Sequence, residues 1–366
     1  MKKLKALLCV LIALAMTLPL CGCWDMTEIN RRTYVLGIGI DEDAPGRYSF
    51  TFQTADVAKD AKQPAKTTEI KSTALAPALR EMDRACEYDT TLIHLSSVVL
   101  GDSVKQDDMG ALLGYLFSSS NVRRQCIVAA ADGDAAELLN MGGDSPPAMQ
   151  IATMIEKNDD AIRQSENLTL SMLHTALAQG EGFVVYRIST AQQQSVSGSD
   201  AAGGLRIAGA NVYDRAGFSG EMNSEETELA RLFSSGQTSG IIAAANDDGK
   251  GFFYRVDRSE CQTVCSIDED DRLVYDIKVT VHCSLADWES GGGILPDTPE
   301  EREIARSLEG QLEKLLERSR GELGAAALGL DSAARCQHYR WYCENRSDFP
   351  RIFSNAKTNL TIVCKK

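Results

Sequence analysis

Two hydrophobic patterns recur along this chain and predict a mixture of strands and helices. Apolar residues occupy every second position in 48–52 and again in 276–283, which is typical of strands with one solvent-facing side. Apolar residues three or four positions apart in 74–88 and 299–323 are typical of helices that bury one face. The pattern therefore predicts an α+β protein.

Further elements follow from shorter apolar runs bounded by turn residues. Strands are predicted at 34–41, 48–52, 92–100, 125–131, 182–188, 205–213, 241–245, 252–256, 273–285 and 358–364. Helices are predicted at 74–88, 109–117, 135–141, 149–179, 224–233 and 299–323. Turn residues between the first two strands predict a hairpin. We expect a multi-domain α+β protein with mixed and antiparallel sheets, each packed with helices, and with the long C-terminal helix against an antiparallel sheet.

The composition changes sharply at 191–204, which is rich in Gln, Ser and Gly. Such a segment buries too little apolar surface to fold alone, so it predicts a flexible linker. The expected organisation is a signal peptide at 1–22, an N-terminal α+β domain at 23–190, and a C-terminal α+β region at 205–366 that can divide further into 205–250 and 251–366.

The first residues have the pattern of a lipoprotein export signal. Three lysines precede an uncharged apolar run, and Gly22 then comes immediately before Cys23. Cleavage needs a small residue before the acylated cysteine, so we predict Cys23 as the lipidated residue rather than Cys21, which follows Leu20. Two alternatives remain open, an uncleaved membrane helix over 6–24 and a plain secretory signal.

The net charge of the chain limits the kinds of molecule that it can bind by electrostatic attraction. The formal charge is -14, and loss of the three signal lysines would leave -17. Nucleic acid and anionic lipid both attract basic surfaces, so this balance argues against binding to either by charge. A lipid on Cys23, and not a basic patch, is therefore expected to hold the protein at a membrane.

Eleven cysteines are many for a chain of this length. Without Cys9, Cys21 and Cys23, an even set remains: Cys86, Cys126, Cys261, Cys265, Cys283, Cys336, Cys343 and Cys364. Outside the membrane this set permits disulfides, and the alternative is that the cysteines are small buried apolar residues. Cys261 and Cys265 are the nearest local candidates for a bridge.

No residue pattern in the sequence points to catalysis. A phosphate-binding Gly-Lys-Ser/Thr loop and a Gly-x-Ser-x-Gly elbow are both absent, and Gly37-x-Gly39 lacks the third glycine of a dinucleotide site. His282 with the nearby cysteines has loose spacing for a metal site. Acidic runs such as 268–271 are interpreted as solvated loops. We expect a protein that is not an enzyme and that has no cofactor or metal.

An ordered series of short motifs resembles the Ger(x)C family of spore germination lipoproteins. The series begins with Gly-Cys-Trp-Asp at 22–25, continues through Val-Leu-Gly-Ile-Gly-Ile-Asp at 35–41, and has weaker counterparts at 94–101 and 207–213. The resemblance covers nearly the whole mature chain. It implies several α+β domains, lipidation at Cys23 and no catalytic role. Cys21 and the excess of cysteines depart from the family pattern.

The resemblance also implies a cellular role. Family members are C subunits of germinant receptors on the outer face of the spore's inner membrane, beside a multi-span A subunit and a transporter-like B subunit. The alternative is a solute-binding lipoprotein that delivers a small molecule to a membrane transporter. That class has two doubly wound lobes around a cleft, and the antiparallel pattern of the C-terminal half argues against it.

Overall fold

The computed structural model describes residues 32–56, 64–159, 169–190, 204–233, 240–245, 251–270, 272–288 and 298–366. The strands are β1 (Arg32–Ala44), β2 (Arg47–Ala55), β3 (Ala65–Ser72), β4 (Asp89–Thr91), β5 (Ser97–Leu100), β6 (Ile127–Ala131), β7 (Phe183–Thr190), β8 (Leu205–Asp214), β9 (Gly217–Asn223), β10 (Ile241–Ala245), β11 (Gly251–Ile267), β12 (Leu273–Trp288) and β13 (Lys357–Lys365). The α-helices are α1 (Leu75–Ala85), α2 (Met109–Ser118), α3 (Ala135–Leu139), α4 (Pro147–Asp159), α5 (Leu170–Gln179), α6 (Ser224–Ala230), α7 (Glu301–Arg318), α8 (Leu330–Gln337), α9 (Tyr339–Asn345) and α10 (Phe349–Ser354).

The larger sheet has nine strands in the order β3-β2-β1-β5-β6-β7-β8-β9, and β4 pairs with β1. Its centre, β1-β5-β6-β7, is parallel, and antiparallel strands flank it on both sides. Every residue of β5 and β6 is buried. Parallel strands carry helices on both faces, so continuous apolar runs of this kind suit its centre.

The smaller sheet has the order β10-β11-β12-β13. Its first three strands are antiparallel, whereas β13 runs parallel to β12. Helix α7 packs on this sheet through a stripe predicted from the sequence. The stripe is buried in the structure and consists of Ile304, Leu308, Leu312, Leu315 and Leu316, and buried Leu323 follows in the π-helical turn after α7.

Two apolar cores lie on opposite faces of the larger sheet. One core contains α1, α2 and α5. The other contains α3 and α4 and is continuous with the core between the smaller sheet and α7. The two sheets therefore stabilise each other through a shared core.

The structure confirms the α+β class, the two helix-packed sheets, the β1–β2 hairpin and the long helix against the smaller sheet. It also departs from the sequence prediction in places. The predicted helix 149–179 contains two helices, α4 and α5, and β11 extends to Ile267. Strands β3, β4 and β9 and helices α8 to α10 are not among the elements that the sequence predicts. Within the described ranges, no helix has both the length and the hydrophobicity needed to cross a bilayer.

The predicted linker lies almost wholly outside the described residues, as does the predicted signal peptide. Strands β8 and β9 follow that linker in sequence, yet they extend the larger sheet, with Phe183 paired to Tyr213. The larger sheet thus contains strands from both sides of 191–204. A domain boundary there stays a prediction.

Candidate functional site

The parallel strands of the larger sheet all begin at one end, which we call the amino edge. It comprises Arg32, Tyr88, Ile93, Arg123, Arg124 and Met172. Arg32 pairs in register with Asp89, and the Thr33 hydroxyl donates to the Tyr88 carbonyl at 3.2 Å. The Ser171 amide donates to the Arg124 carbonyl at 3.0 Å, which places the start of α5 at the same edge.

The amino edge exposes both apolar and basic groups. Tyr88 is 39%, Ile93 42% and Met172 40% exposed, and Arg123 and Arg124 are exposed too. Single exposed apolar residues are ordinary, but several at one edge of a sheet suit a contact surface. Exposed Glu87 and Asp89 lie there as well, so the edge is amphipathic and not purely basic.

Two glycines of β1 let helices approach the sheet closely. A Cβ at Gly37 would lie 2.4 Å from the Ala148 Cβ of α4, and one at Gly39 would lie 3.2 Å from the Ala135 Cβ of α3. Glycine in a strand commonly marks such a close approach. The Gly-x-Gly pattern therefore has a packing role.

Asp41, which follows these glycines, connects β1 to α3. Its carboxylate accepts hydrogen bonds from the Ala135 and Ala136 amides at 2.8 and 3.0 Å. Burial raises the pKa of Asp41, and the two amide bonds oppose that rise. A Cβ at Gly101 would lie 1.9 Å from the Asp41 Oδ1. These contacts give Asp41, the last residue of the Val-Leu-Gly-Ile-Gly-Ile-Asp motif at 35–41, a structural role.

A polar cleft of about 490 Å³ lies between β2, β3 and the α3–α4 connection. Buried Gln53 forms part of its wall, where its Nε2 donates to the Leu139 carbonyl at 2.6 Å and its Oε1 accepts from the Ala148 amide at 3.0 Å. Asp56 and Lys66 form an ion pair at 2.9 Å. These lining groups already form hydrogen bonds or ion pairs within the protein. The cleft is therefore polar, but most of these groups are not free to bind a ligand.

Ion pairs cluster near the opposite end of the parallel strands, where α/β proteins commonly bind ligands. The Lys105 Nζ lies 2.8 Å from both Asp102 and Glu221, and Arg187 also pairs with Glu221. The hydrogen bond from Lys105 is the largest cause that lowers the pKa of Glu221. These contacts tie β7, β9 and the turn at 102–104 together, which is a structural arrangement.

A buried ion pair connects the larger sheet to the C-terminal helices. The Arg335 Nε of α8 lies 2.6 Å from Glu181, whose side chain is 9% exposed. Asp331 is buried nearby, and burial raises its pKa to about 6. Arg346 packs over Gly180 at the end of α5, where φ is +58°. Nothing in the sequence indicated these pairings, because their partners are over 100 residues apart.

The structure separates the two cysteines for which the sequence predicts a disulfide. Cys261 and Cys265 lie four residues apart on β11, where a rise of about 3.3 Å per residue separates their Cα atoms by about 13 Å. A disulfide needs Cα atoms within about 7 Å, so the predicted bridge between these two is wrong. The structure instead brings together Cys283 and Cys364, which the sequence did not single out.

The remaining predicted residues are placed as follows. Cys23 lies outside the described residues, so its lipidation stays a prediction. His94 contacts the Tyr34 ring, and His174 stacks on Phe117. Among the described residues, no three His, Cys, Asp or Glu side chains form a group that could hold a metal.

Two family models match the chain and together cover most of it. The model of the spore germination protein N-terminal domain matches residues 25–190. The model described as spore germination B3/GerAC-like, C-terminal, matches residues 208–365. The two matches lie on either side of the predicted linker.

Curated relatives and a solved structure agree with these matches. The chain is 25% identical over 292 residues to spore germination protein A3 of Bacillus subtilis (strain 168), covering 77% of this chain and 74% of the relative. It is 22% identical over 377 residues to spore germination protein B3 of the same organism, covering 96% and 94%. The crystal structure of the GerBC protein has a TM-score of 0.58 at 15% identity, covers 90% of this chain and 96% of that chain, and so shares the fold.

Proposed function

The chain belongs to the Ger(x)C family of spore germination proteins, and from this premise we propose that it is the lipid-anchored subunit of a nutrient-germinant receptor. In this proposal it acts through contacts with other proteins in the response to germinants. It carries out no chemical step. Its partners are the A-type and B-type membrane subunits of the receptor, and it sits on the outer face of the spore's inner membrane.

The short distance in sequence between Cys23 and the first strand of the larger sheet is the main support for this proposal. Cys23 follows a lipoprotein-type signal, and β1 begins nine residues later at Arg32. Nine residues span at most about 30 Å even when fully extended. Acyl chains on Cys23 would therefore keep the amino edge close to the membrane, and with it the membrane-embedded subunits.

The surface chemistry supports the same orientation. Tyr88, Ile93, Arg123 and Arg124 place aromatic, apolar and guanidinium groups at the amino edge. Such side chains suit the boundary between water and lipid headgroups. The rest of the strongly acidic chain offers little attraction to anionic lipid. The amino edge is therefore the surface that we assign to the membrane and to the partner subunits.

A second candidate function is delivery of a small molecule to a transporter. The polar cleft beside Gln53 favours this alternative, since about 490 Å³ is enough for a small polar ligand. The internal bonding of Gln53, Asp56 and Lys66 weighs against it. The two functions differ in what the isolated protein binds, so a ligand screen separates them.

The proposed function predicts that the chain remains in a complex when the membrane is dissolved. A tagged full-length chain, extracted from spore inner membranes in mild detergent, should co-purify with a multi-span subunit and a transporter-like subunit. An unrelated tagged lipoprotein from the same membrane is the control. Recovery of the chain alone, together with a large thermal shift on adding amino acids or other germinants, would instead favour the solute-binding alternative.

A further inference from the structure

Two buried cysteines meet where the last strand joins the smaller sheet. Cys283 lies on β12 and Cys364 on β13, and their side chains are 3% and 5% exposed. The parallel register pairs Cys364 with Val281. Residues 281 and 283 face the same side of β12 because side chains alternate along a strand. The two sulfur atoms consequently lie 3.2 Å apart.

The contacts of this pair make Cys283 the thiol that ionises more readily. A hydrogen bond from Cys364 is the largest cause that lowers the pKa of the Cys283 thiol, and the charge of Lys366 lowers it further. The hydrogen bond to Cys283 and then burial raise the pKa of Cys364. A thiolate next to a protonated thiol is the arrangement from which thiol–disulfide exchange begins.

We propose that Cys283 and Cys364 form a disulfide that ties β13 to β12. The oxidant is a disulfide, either a small molecule such as oxidised glutathione or a protein of the thiol–disulfide exchange class. The Cys283 thiolate attacks one sulfur of that disulfide, forms a mixed disulfide and releases one thiolate. Cys364 then loses its proton and attacks the Cys283 sulfur, which releases the second thiolate. The oxidant gains two electrons from the pair, and both of its sulfurs leave as thiols after taking up the two protons.

The bond requires only a small local movement. Cys364 lies opposite Val281 on a parallel strand, two residues along β12 from Cys283. A strand spacing of about 4.8 Å and a rise of about 3.3 Å per residue put the two Cα atoms about 8 Å apart, whereas a disulfide needs about 7 Å or less. Strand β13 is an edge strand that ends one residue after Cys364. Its end can therefore move toward β12 without disturbing a further strand.

The disulfide would fix the element that closes the smaller sheet. Strand β13 pairs with β12 from Val274 to His282 and packs against α7. A link between Cys283 and Cys364 encloses all of α7 to α10 in one covalent loop. Loops of this length give a large reduction in the entropy of the unfolded chain, so the link is expected to resist unfolding of the whole C-terminal region.

The test maps the disulfide in the full-length protein purified in detergent. The protein is equilibrated in reduced or oxidised glutathione, its remaining thiols are alkylated under denaturing conditions, and its peptides are identified by mass spectrometry. In the oxidised buffer we expect a cross-linked peptide pair that contains Cys283 and Cys364. Full alkylation of both residues in that buffer, or a cross-link of either one to another cysteine, would overturn the proposal.

Thermal unfolding gives a second readout that does not depend on peptide recovery. The oxidised protein should melt about 5 °C above the reduced protein. This difference should vanish in Cys364→Ser and persist in Cys336→Ser and Cys343→Ser, since Cys336 and Cys343 are exposed on α8 and α9. An unchanged difference in Cys364→Ser would also overturn the proposal. If Cys364→Ser fails to fold, Cys283→Ser provides the same comparison.

Discussion

Cys23→Ala is expected to release the protein from the membrane completely and to abolish nutrient-triggered germination through its receptor. Two acyl chains hold a protein stably at a bilayer, whereas a single chain binds only marginally. The variant loses the acylation site, and the amphipathic amino edge is too small to replace it. Fractionation of spores into membrane and soluble parts, with a germination assay on the same preparation, measures both effects.

Cys21→Ala is the matched control for this experiment. Cys21 lies two residues before Cys23, and we expect it to be removed with the signal peptide. The control should therefore stay in the membrane fraction and respond to nutrients normally. If Cys23→Ala also stays membrane-bound and fully active, lipid anchoring is not how this protein works.

Arg335→Met is expected to lower the free energy of unfolding by about 3 kcal/mol, the low end of the range for breaking a buried ion pair. The substitution keeps most of the side-chain volume but removes the guanidinium that lies 2.6 Å from Glu181. Glu181 then keeps a buried charge without this cation, beside buried Asp331. The low end applies because Arg335 is 25% exposed. Denaturant unfolding of the purified protein measures the change.

An exposed ion pair on the neighbouring helix provides the control. Arg340 lies 3.1 Å from Glu344, and the two side chains are 93% and 62% exposed. Exposed pairs contribute little, so Arg340→Met should change stability by less than about 0.5 kcal/mol. If Arg335→Met lowers the free energy of unfolding as little as Arg340→Met does, the ion pair between Glu181 and Arg335 does not stabilise the fold.

The strongest elements of the fold were predictable because their patterns are local. The apolar run of β1 and the leucine stripe of α7 are buried as expected. The alternation of 48–52 correctly predicts strand β2, but its expected solvent-facing side is wrong, because Ser49, Thr51 and Gln53 are buried as well. Strand β3 was missed because its sequence, Ala-Lys-Thr-Thr-Glu-Ile-Lys-Ser, is that of a half-exposed edge strand. Polar and charged residues protect such edges from pairing with other chains, and they hide the strand from a hydrophobic pattern.

A bulge and short element lengths explain why other elements could not be predicted from the hydrophobic pattern. Strand β11 continues to Ile267, but a bulge between Val256 and Arg258 shifts the alternation halfway along it. The helices α8, α9 and α10 have only six to eight residues each, which is too short for a clear helical period. Helix α8 packs against the smaller sheet, where the Tyr275 hydroxyl donates to the Leu330 carbonyl at 2.9 Å.

Contacts between distant residues were beyond the reach of the sequence. Cys261 and Cys265 are close in sequence, which favours a bridge, but a continuous strand holds them apart. Cys283 and Cys364 are 81 residues apart and meet only because β13 pairs with β12 in one particular register. The same holds for Glu181 and Arg335. Short sequence motifs are enough to identify the family. Which distant side chains come into contact depends on strand register and on packing, and neither can be predicted from local sequence.

The intact mass of the native protein, extracted from spore membranes without affinity tags, tests the central claim most directly. The account predicts a chain whose first residue is Cys23 and whose mass includes the lipid on that residue. A chain that still begins at Met1, or one that begins elsewhere and carries no acyl group, would contradict it.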